Sequence, residues 1–221
     1  MGYTLQFGWL YDALGAIAEG AAMTMFLIAV TTVAGTVVSV LGAAARHSGY
    51  RLLRQAVAAY VELIRNTPFL VQLFFIFFGL PAIGIRLDPV LAAILAMTLN
   101  MGAYATEIVG SGLDAVPTGQ REAALALGLR PWQVFVKIVL PQAVKIIFPA
   151  LSSQIVIMML ESAVVSQIAV RELTYEADML QARTFRAFET YLIVTLVYLG
   201  MAVALRKLLF VGGKRFFQVS A

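Results

Sequence analysis

The chain has 221 residues, of which 61% are hydrophobic and only 13% are charged, whereas a soluble domain carries about 25% charged residues. This composition excludes an ordinary soluble domain, and at about 20 apolar residues per crossing the length predicts five or six helical membrane spans. With no cysteine and a single histidine, the sequence excludes a disulfide framework, a zinc cluster and a thiol nucleophile. A net charge of +4 is typical of cytoplasmic loops, so we expect no nucleic-acid partner.

Five apolar stretches predict an all-α integral membrane protein with five transmembrane helices, organised as one transmembrane domain over residues 1–221. The predicted spans cover residues 21–45, 56–78, 89–113, 146–167 and 188–208. Gly35 and Gly42 in the first span are small residues that allow membrane helices to pack closely. Pro68 removes a backbone donor from the second span, which predicts a kink at that point.

The distribution of basic residues predicts how these spans are oriented. Eleven lysines and arginines fall on the side of the loop that joins spans 3 and 4, four fall on the other side, and Arg65 lies within a span. Cytoplasmic loops carry the excess of basic residues in membrane proteins. We therefore expect this loop and the C-terminus in the cytoplasm and the N-terminus outside.

The loop between spans 3 and 4, residues 114–145, contains the signals for two helices joined by a tight turn. Thr118 is predicted to cap the first helix, and Glu122 falls near the positive end of that helix. Gly128 is predicted to end the helix in a left-handed conformation, and Pro131 can open the second helix. On these residues alone, the loop could dock another subunit or could simply cover the helix bundle as an interfacial helix pair.

The spacing within this loop resembles a known family. Glu122-Ala123-Ala124, then Gly128, then Ile138, Leu140 and Pro141 resemble the cytoplasmic signature loop of ABC importer permeases. Residues 65–81 and 106–120 resemble the branch of that family that takes up polar amino acids. The resemblance implies that the first loop helix is a coupling helix that docks on a separate ATPase. The residues implied in ATPase coupling are Glu122, Ala123, Ala124 and Gly128.

The resemblance also implies the partners and the location of the protein. It implies ATP-binding-cassette ATPase subunits, a second permease chain that is identical or homologous, and an external or periplasmic amino-acid-binding protein. The location is then the bacterial cytoplasmic (inner) membrane. We expect this chain to be non-catalytic and to hold no cofactor, with ATP and magnesium on the partner ATPase, because no phosphate-binding loop is found. The nearest match, residues 212–215, lacks the first glycine and the hydroxyl residue of that motif.

Polar residues near the middle of the spans are candidates for substrate binding, because burying them in a membrane is costly. Glu161 in the fourth span is expected to receive the α-ammonium group of an amino acid or a cationic side chain. Asn100 and Ser162 are expected to supply uncharged hydrogen bonds, with Gln154 on nearly the same face as Glu161. The resemblance adds Leu70, just after Pro68. Alternatively, Glu161 pairs with a basic residue of a neighbouring helix or is protonated.

Other charged residues are expected to have structural roles. Glu62 and Arg65 are predicted to form an ion pair on one helix face, with a gate contact as the alternative. Glu107 is expected to meet Lys137 or Arg121. The outer loop is expected to be a solvated face of mixed charge. Its charged residues are Arg171, Glu172, Glu176, Asp178, Arg183 and Arg186.

The sequence thus predicts the permease subunit of an ATP-driven importer for a polar amino acid, with a cationic one as an option. One alternative is a small channel or ion-coupled carrier that works without ATP. Another is a membrane-embedded enzyme. The signature loop favours the importer, because neither alternative needs such a loop.

Overall fold

A computed structural model describes residues 4–217 of the chain, and all regular elements in that range are helical. The prediction of an all-α protein is confirmed. The helices are α1 Leu10–Arg46, α2 Arg51–Arg65, α3 Phe69–Phe74, α4 Pro89–Asp114, α5 Thr118–Ala126, α6 Pro131–Val134, α7 Leu140–Glu161, α8 Leu173–Thr184 and α9 Ala187–Phe217. Short π-helical turns extend α3 and α6, and 3₁₀ turns follow at Leu80–Ile83 and Ser162–Ile168.

Four helical runs within the described residues are long and apolar enough to cross a membrane: Leu10–Arg46, Pro89–Asp114, Pro131–Ile168 and Ala187–Arg215. The pair α2 and α3 makes a fifth span if the two cross as one. The count of five is therefore the upper value that the structure allows. The orientation with the N-terminus outside stays a prediction.

The second predicted span is broken and not merely kinked. α2 ends at Arg65, and the helix axis turns by 111° before α3 begins at Phe69. Pro68 is extended, with ψ at 140°. A proline also disfavours helical geometry in the residue before it, here Thr67, and donates no hydrogen bond, so the helix cannot continue through this point. The side chain of Gln72 donates to the carbonyls of Ile64 and Thr67 at 2.7 and 2.9 Å, so the break is held in place.

The main hydrophobic core lies where α1 crosses α4, as the glycines of α1 predict. A Cβ added at Gly35 would lie 2.6 Å from the side chain of Met101, and one added at Gly42 would lie 2.5 Å from the hydroxyl of Thr106. Met97 and Met101 on α4 are fully buried in this core. The two helices thus approach at distances that a larger residue would prevent.

The fourth predicted span begins earlier than expected. Its helical run starts at Pro131 and continues through α6, a π-helical turn and α7 to Ile168, whereas the sequence placed the start of the span at residue 146. The apolar residues of the loop continue the helix without an intervening turn. The second helix of the loop and the fourth span therefore form one helical run.

The prediction of a solvated outer loop is wrong for two of its residues, Glu172 and Glu176. Glu172 is 0% exposed and Glu176 is 5% exposed. The start of α8 lies directly on α1, since a Cβ at Gly20 would be 2.9 Å from the Cα of Leu173. This close packing removes Glu172 from solvent, and Glu176 pairs with the exposed Arg171 at 3.0 Å.

Candidate functional site

The loop between the third and fourth spans has the helix–turn–helix form that its sequence predicts. Gly128 has φ of +82°, a conformation that favours glycine. The amide of Gly128 donates to the carbonyl of Leu125 at 2.9 Å, and the amide of Leu129 donates to that of Ala124 at 3.2 Å. These two bonds form the Schellman motif, which satisfies the last carbonyls of a helix. The turn that ends α5 is therefore rigid.

The predicted cap at Thr118 is wrong. Pro117 takes the N-cap position with φ of −56° and ψ of 131°, and Thr118 is the first helical residue. The cap is the extended residue that precedes the helix, and proline already has the φ that this position needs. Pro117 accepts a bond from the amide of Gln120 at 3.1 Å through its carbonyl.

The structure divides the residues implied in coupling between two faces of α5. Ala124 is 5% exposed and packs in a second hydrophobic cluster with Val134 and Ile147. Glu122, Ala123 and Gly128 are exposed to solvent in this chain. One face of α5 is thus anchored to the fourth span, and the opposite face is available to a partner.

Within the membrane part, Glu161 lies at the point where the fourth span changes its helical geometry. It is the last α-helical residue of α7, and the tighter 3₁₀ turn begins at Ser162. The Oε2 atom of Glu161 is buried and has no hydrogen-bond partner among the described residues. No ion pair to Glu161 occurs within residues 4–217, so a basic partner on a neighbouring helix of this chain is not found.

Asn100 lies on α4 and is 3% exposed. Its side-chain amide donates to the Oε1 atom of Gln72 at 3.0 Å, and its Oδ1 atom is buried without a partner in the described part of the chain. Ser162 is fully buried and donates to the carbonyl of Met159 at 2.7 Å. Leu70, in the first turn of α3, is 39% exposed.

These candidate residues come from elements that touch one another, because α3, α4 and the 3₁₀ turn Ser162–Ile168 pack together. The hydrogen bonds join Asn100 to Gln72 and through it to the broken second span, whereas no hydrogen bond joins Asn100 to Glu161. Two buried acceptor oxygens, one on Glu161 and one on Asn100, therefore remain unsatisfied. A ligand with ammonium or amide donors would supply what these atoms lack.

Sequence reasoning did not single out Gln72, which links the break after α2 to Asn100. Gln72 is 9% exposed, and it is a polar residue within the apolar run of residues 69–83. An uncharged polar residue in such a run was the available signal, since it must find hydrogen-bond partners inside the protein.

Glu107 joins α1, α2 and α4 through two arginines. Its Oε2 atom lies 2.5 Å from the Nη1 of Arg46 and 3.6 Å from the Nη1 of Arg65. The predictions that Arg65 pairs with Glu62 and that Glu107 meets Lys137 or Arg121 are therefore wrong. The break after α2 turns Arg65 toward α4, and a cavity of about 500 Å³ opens between Glu62, Arg65 and Glu107.

No group of three or more histidine, cysteine, aspartate or glutamate side chains in residues 4–217 could hold a metal ion. The polar groups of the candidate site are a single carboxylate (Glu161), a single amide (Asn100) and a single hydroxyl (Ser162). This chemistry suits an organic ligand that carries hydrogen-bond donors.

Comparison with known proteins identifies the family. Residues 35–211 match the family described as binding-protein-dependent transport system inner membrane component. The chain is 34% identical over 205 residues to the glutamine transport system permease protein GlnP of Escherichia coli (strain K12), which covers 91% of this chain and 94% of that protein. It is 37% identical over 167 residues to the L-cystine transport system permease protein TcyB of Bacillus subtilis (strain 168), which covers 76% and 71%.

A solved structure gives the same result. The crystal structure of an amino acid ABC transporter with histidines contains a chain that superposes with a TM-score of 0.90 at 34% identity, covering 97% of this chain and 100% of that one. The resemblance to ABC importer permeases is thereby confirmed. The chain belongs to the family of binding-protein-dependent transport system inner membrane components and is a multi-pass permease of the cytoplasmic membrane.

Proposed function

We propose that this chain is the transmembrane subunit of an ATP-binding-cassette importer that moves a polar amino acid into the cell. The observation that carries this proposal is the rigid cytoplasmic loop, in which α5 ends in a Schellman turn and packs through Ala124 against the helix that becomes the fourth span. When a partner displaces the exposed face of such a rigid element, the attached transmembrane helix moves with it. A channel or carrier that works without ATP has no need of it.

The proposed coupling follows from the two faces of α5. A separate ATPase contacts the exposed face with Glu122, Ala123 and Gly128. ATP and magnesium are bound by the ATPase, whose closure moves α5 as a rigid body. Because the chain is helical without a break from Pro131 to Ile168, this movement reaches Glu161 and Ser162 in the membrane interior.

The substrate class is inferred from the unsatisfied acceptors. Glutamine, L-cystine and histidines are named for the relatives and for the solved transporter, and these compounds share an α-ammonium group. We assign Glu161 to that group, with Asn100 and Ser162 as uncharged hydrogen-bonding partners and Leu70 at the edge of the site. If Glu161 instead binds a cationic side chain, then only the transport of arginine, lysine and protonated histidine depends on Glu161.

The remaining partners follow from the size of the chain and from the family. One chain with at most five spans cannot enclose a pathway, so a second permease chain completes it about a twofold axis. An external binding protein delivers the amino acid to the outer face. These partners are part of the proposal for this chain.

The proposed coupling can be tested with two glycines that share one backbone property. Gly128 and Gly84 have φ of +82° and +86°, and a Cβ at either would meet no atom within 4 Å. A valine strains the backbone equally at both positions. We expect Gly128→Val to abolish substrate-stimulated ATP hydrolysis and uptake by the reconstituted complex.

The matched control, Gly84→Val, lies in the turn between α3 and α4 and far from the loop in sequence. It should keep coupled transport at the same membrane yield. Normal coupled transport by Gly128→Val would remove the coupling role, and equal loss in both variants would mean that backbone strain alone causes the defect.

A further inference from the structure

A groove of about 850 Å³ lies between α1, α4, the fourth span and the loop of residues 114–145, which we call the coupling loop. Its walls are almost entirely apolar, with side chains such as Val40, Val109, Leu140 and Leu151. Only three of its lining residues are polar or charged: Thr36, His47 and Arg121. The groove is therefore an apolar slot on the membrane part of the molecule with charged groups at one end.

The length and position of the groove match one leaflet of a bilayer. Along α1 it runs from Thr36 to His47, which is about 16 Å at 1.5 Å per residue. One leaflet contributes about 15 Å of hydrocarbon thickness. His47 directly follows the last residue of α1, and Arg121 lies on the coupling loop. Both charged residues thus lie at the cytoplasmic end under the predicted orientation.

The charged end of the groove has unused capacity to bind an anion. Arg121 donates from Nη2 to the carbonyl of Leu113 at 2.8 Å, but its Nε atom is buried and has no partner among the described residues. A buried guanidinium nitrogen without an acceptor is costly, so an acceptor is expected at this point.

His47 lies at the same end of the groove as Arg121. Its Nδ1 faces the carbonyl of Ala43 at 2.8 Å, and its Nε2 faces the carboxylate of Asp114 at 3.1 Å. Because both ring nitrogens face acceptors, both donate when the ring is an imidazolium. The carbonyl of Ala43 and, next, the carboxylate of Asp114 raise the pKa of His47 above its ordinary value.

We propose that this groove binds an anionic phospholipid of the inner leaflet, with one acyl chain along the apolar walls and the phosphate at the Nε of Arg121, beside His47. A basic pocket between membrane helices on the cytoplasmic side suits such a headgroup. The acyl chain of the lipid then lies between α1 and the coupling loop. This inference concerns the membrane and stands independently of which substrate is carried.

The face of α5 that we propose for the ATPase does not line the groove, which favours a lipid over the ATPase as the occupant of the groove. Arg121 and Leu125, four residues apart, line the groove, whereas Glu122, Ala123 and Leu127 point to solvent elsewhere on the helix. The face proposed for the ATPase is therefore separate from the groove. An apolar slot one leaflet long remains beside it.

The test is a lipid titration of the purified full-length permease in its complex, followed by native mass spectrometry. The probes are phosphatidylglycerol and phosphatidylcholine with identical acyl chains. We expect phosphatidylglycerol to bind more tightly, and Arg121→Gln to weaken phosphatidylglycerol by about fivefold, as for loss of one basic residue near an anionic surface, with phosphatidylcholine unchanged. Arg51→Gln, an exposed cytoplasmic arginine outside the groove, should change neither lipid.

A steric pair keeps the test valid if Arg121→Gln fails to fold. Ala44→Trp fills the groove and should abolish binding of both lipids, whereas Leu41→Trp, exposed on α1 outside the groove, should not. Equal affinity for the two lipids, or no effect of Ala44→Trp, would overturn the proposal. Displacement by soluble glycerol phosphate would indicate a phosphate site, and cross-linking of Ala44→Cys to the ATPase or the second permease would indicate a protein occupant. Either result would also overturn it.

Discussion

Two glutamates in this molecule, the fully buried Glu172 and the half-buried Glu161, differ in how many hydrogen-bond donors surround their carboxylates. Glu172, at the outer end, receives hydrogen bonds on both carboxylate oxygens, from the amide of Tyr175 at 2.9 Å and from the hydroxyl of Tyr198 at 2.7 Å. Glu161, in the fourth span, has a buried oxygen with no partner in the described residues. Burial alone thus does not identify a binding residue.

The difference suggests a physical criterion for function. A buried carboxylate whose donors come from its own chain holds elements together, and Glu172 joins α8 to α9 through Tyr198. A buried carboxylate that lacks donors remains costly until a ligand supplies them. We therefore expect substitution of Glu172 to affect stability and substitution of Glu161 to affect transport.

The largest effect is expected from Glu172→Ala. This change removes the acceptor of the Tyr175 amide and one of two partners of the Tyr198 hydroxyl, which keeps Thr174 at 2.9 Å. The expected cost is about 3 kcal/mol in unfolding free energy. Thermal or denaturant unfolding in detergent measures it. Glu19→Ala removes an exposed carboxylate from the same end and should have little effect. If both variants are equally stable, Glu172 is not the anchor of the outer end.

A smaller but functional effect is expected from Glu161→Gln. It keeps the shape of the side chain and removes the charge, so amino acid uptake should weaken by about tenfold or more, which is about 1.4 kcal/mol or more of binding free energy. The melting temperature and the basal ATP hydrolysis should stay unchanged. Uptake is measured per folded complex, with Glu19→Gln as the control. Unchanged apparent affinity with a lower melting temperature would make Glu161 structural.

The choice of substrate sharpens this prediction. If Glu161 binds the α-ammonium group, Glu161→Gln lowers the uptake of glutamine and arginine alike. If Glu161 binds a cationic side chain, arginine loses far more affinity than glutamine.

Asn100→Ala should affect both transport and stability. The side-chain amide of Asn100 already donates to Gln72, whereas its Oδ1 has no partner among the described residues. An uncharged hydrogen bond contributes about 1 kcal/mol. We expect about a fivefold loss of apparent affinity together with a slightly lower melting temperature, since Gln72 loses a donor. A lower melting temperature with no change in affinity would place Asn100 with Glu172 in the structural class.

The smallest effect is a dependence of stability on pH. Burial raises the pKa of Glu172 above its ordinary value of 4.5, although its hydrogen bonds oppose this. The folded protein then holds this proton more tightly than the unfolded chain, so stability falls as pH rises from 4.5 through the raised pKa. Melting temperatures should be higher at about pH 5 than at about pH 8, and Glu172→Gln should reduce that difference. An unchanged difference would contradict the assignment.

Local rules explain which features could be predicted from the sequence. The turn at Gly128, the helix start at Pro131 and the close packing at Gly35 and Gly42 each depend on a residue type and its immediate neighbours. Thr118 was assigned the cap because it is a good capping residue, but the preceding Pro117 already had the extended conformation of a cap.

Tertiary packing explains what could not be predicted. Glu172 is buried because α8 lies on Gly20, more than 150 residues earlier in the chain. Glu107 pairs with Arg46 of α1 and Arg65 of α2 because both of these helices pack against α4. Charge spacing along one helix cannot reveal partners that lie on other helices.

The central claim is that transport by this chain is driven by a separate ATPase. The direct test is uptake into proteoliposomes that hold the permease complex, with the external binding protein and labelled glutamine outside and ATP inside. We expect accumulation against a gradient only when the ATPase and hydrolysable ATP are both present, and loss of accumulation with Gly128→Val. Equal uptake by the permease without the ATPase would contradict the account and indicate a channel or an ion-coupled carrier.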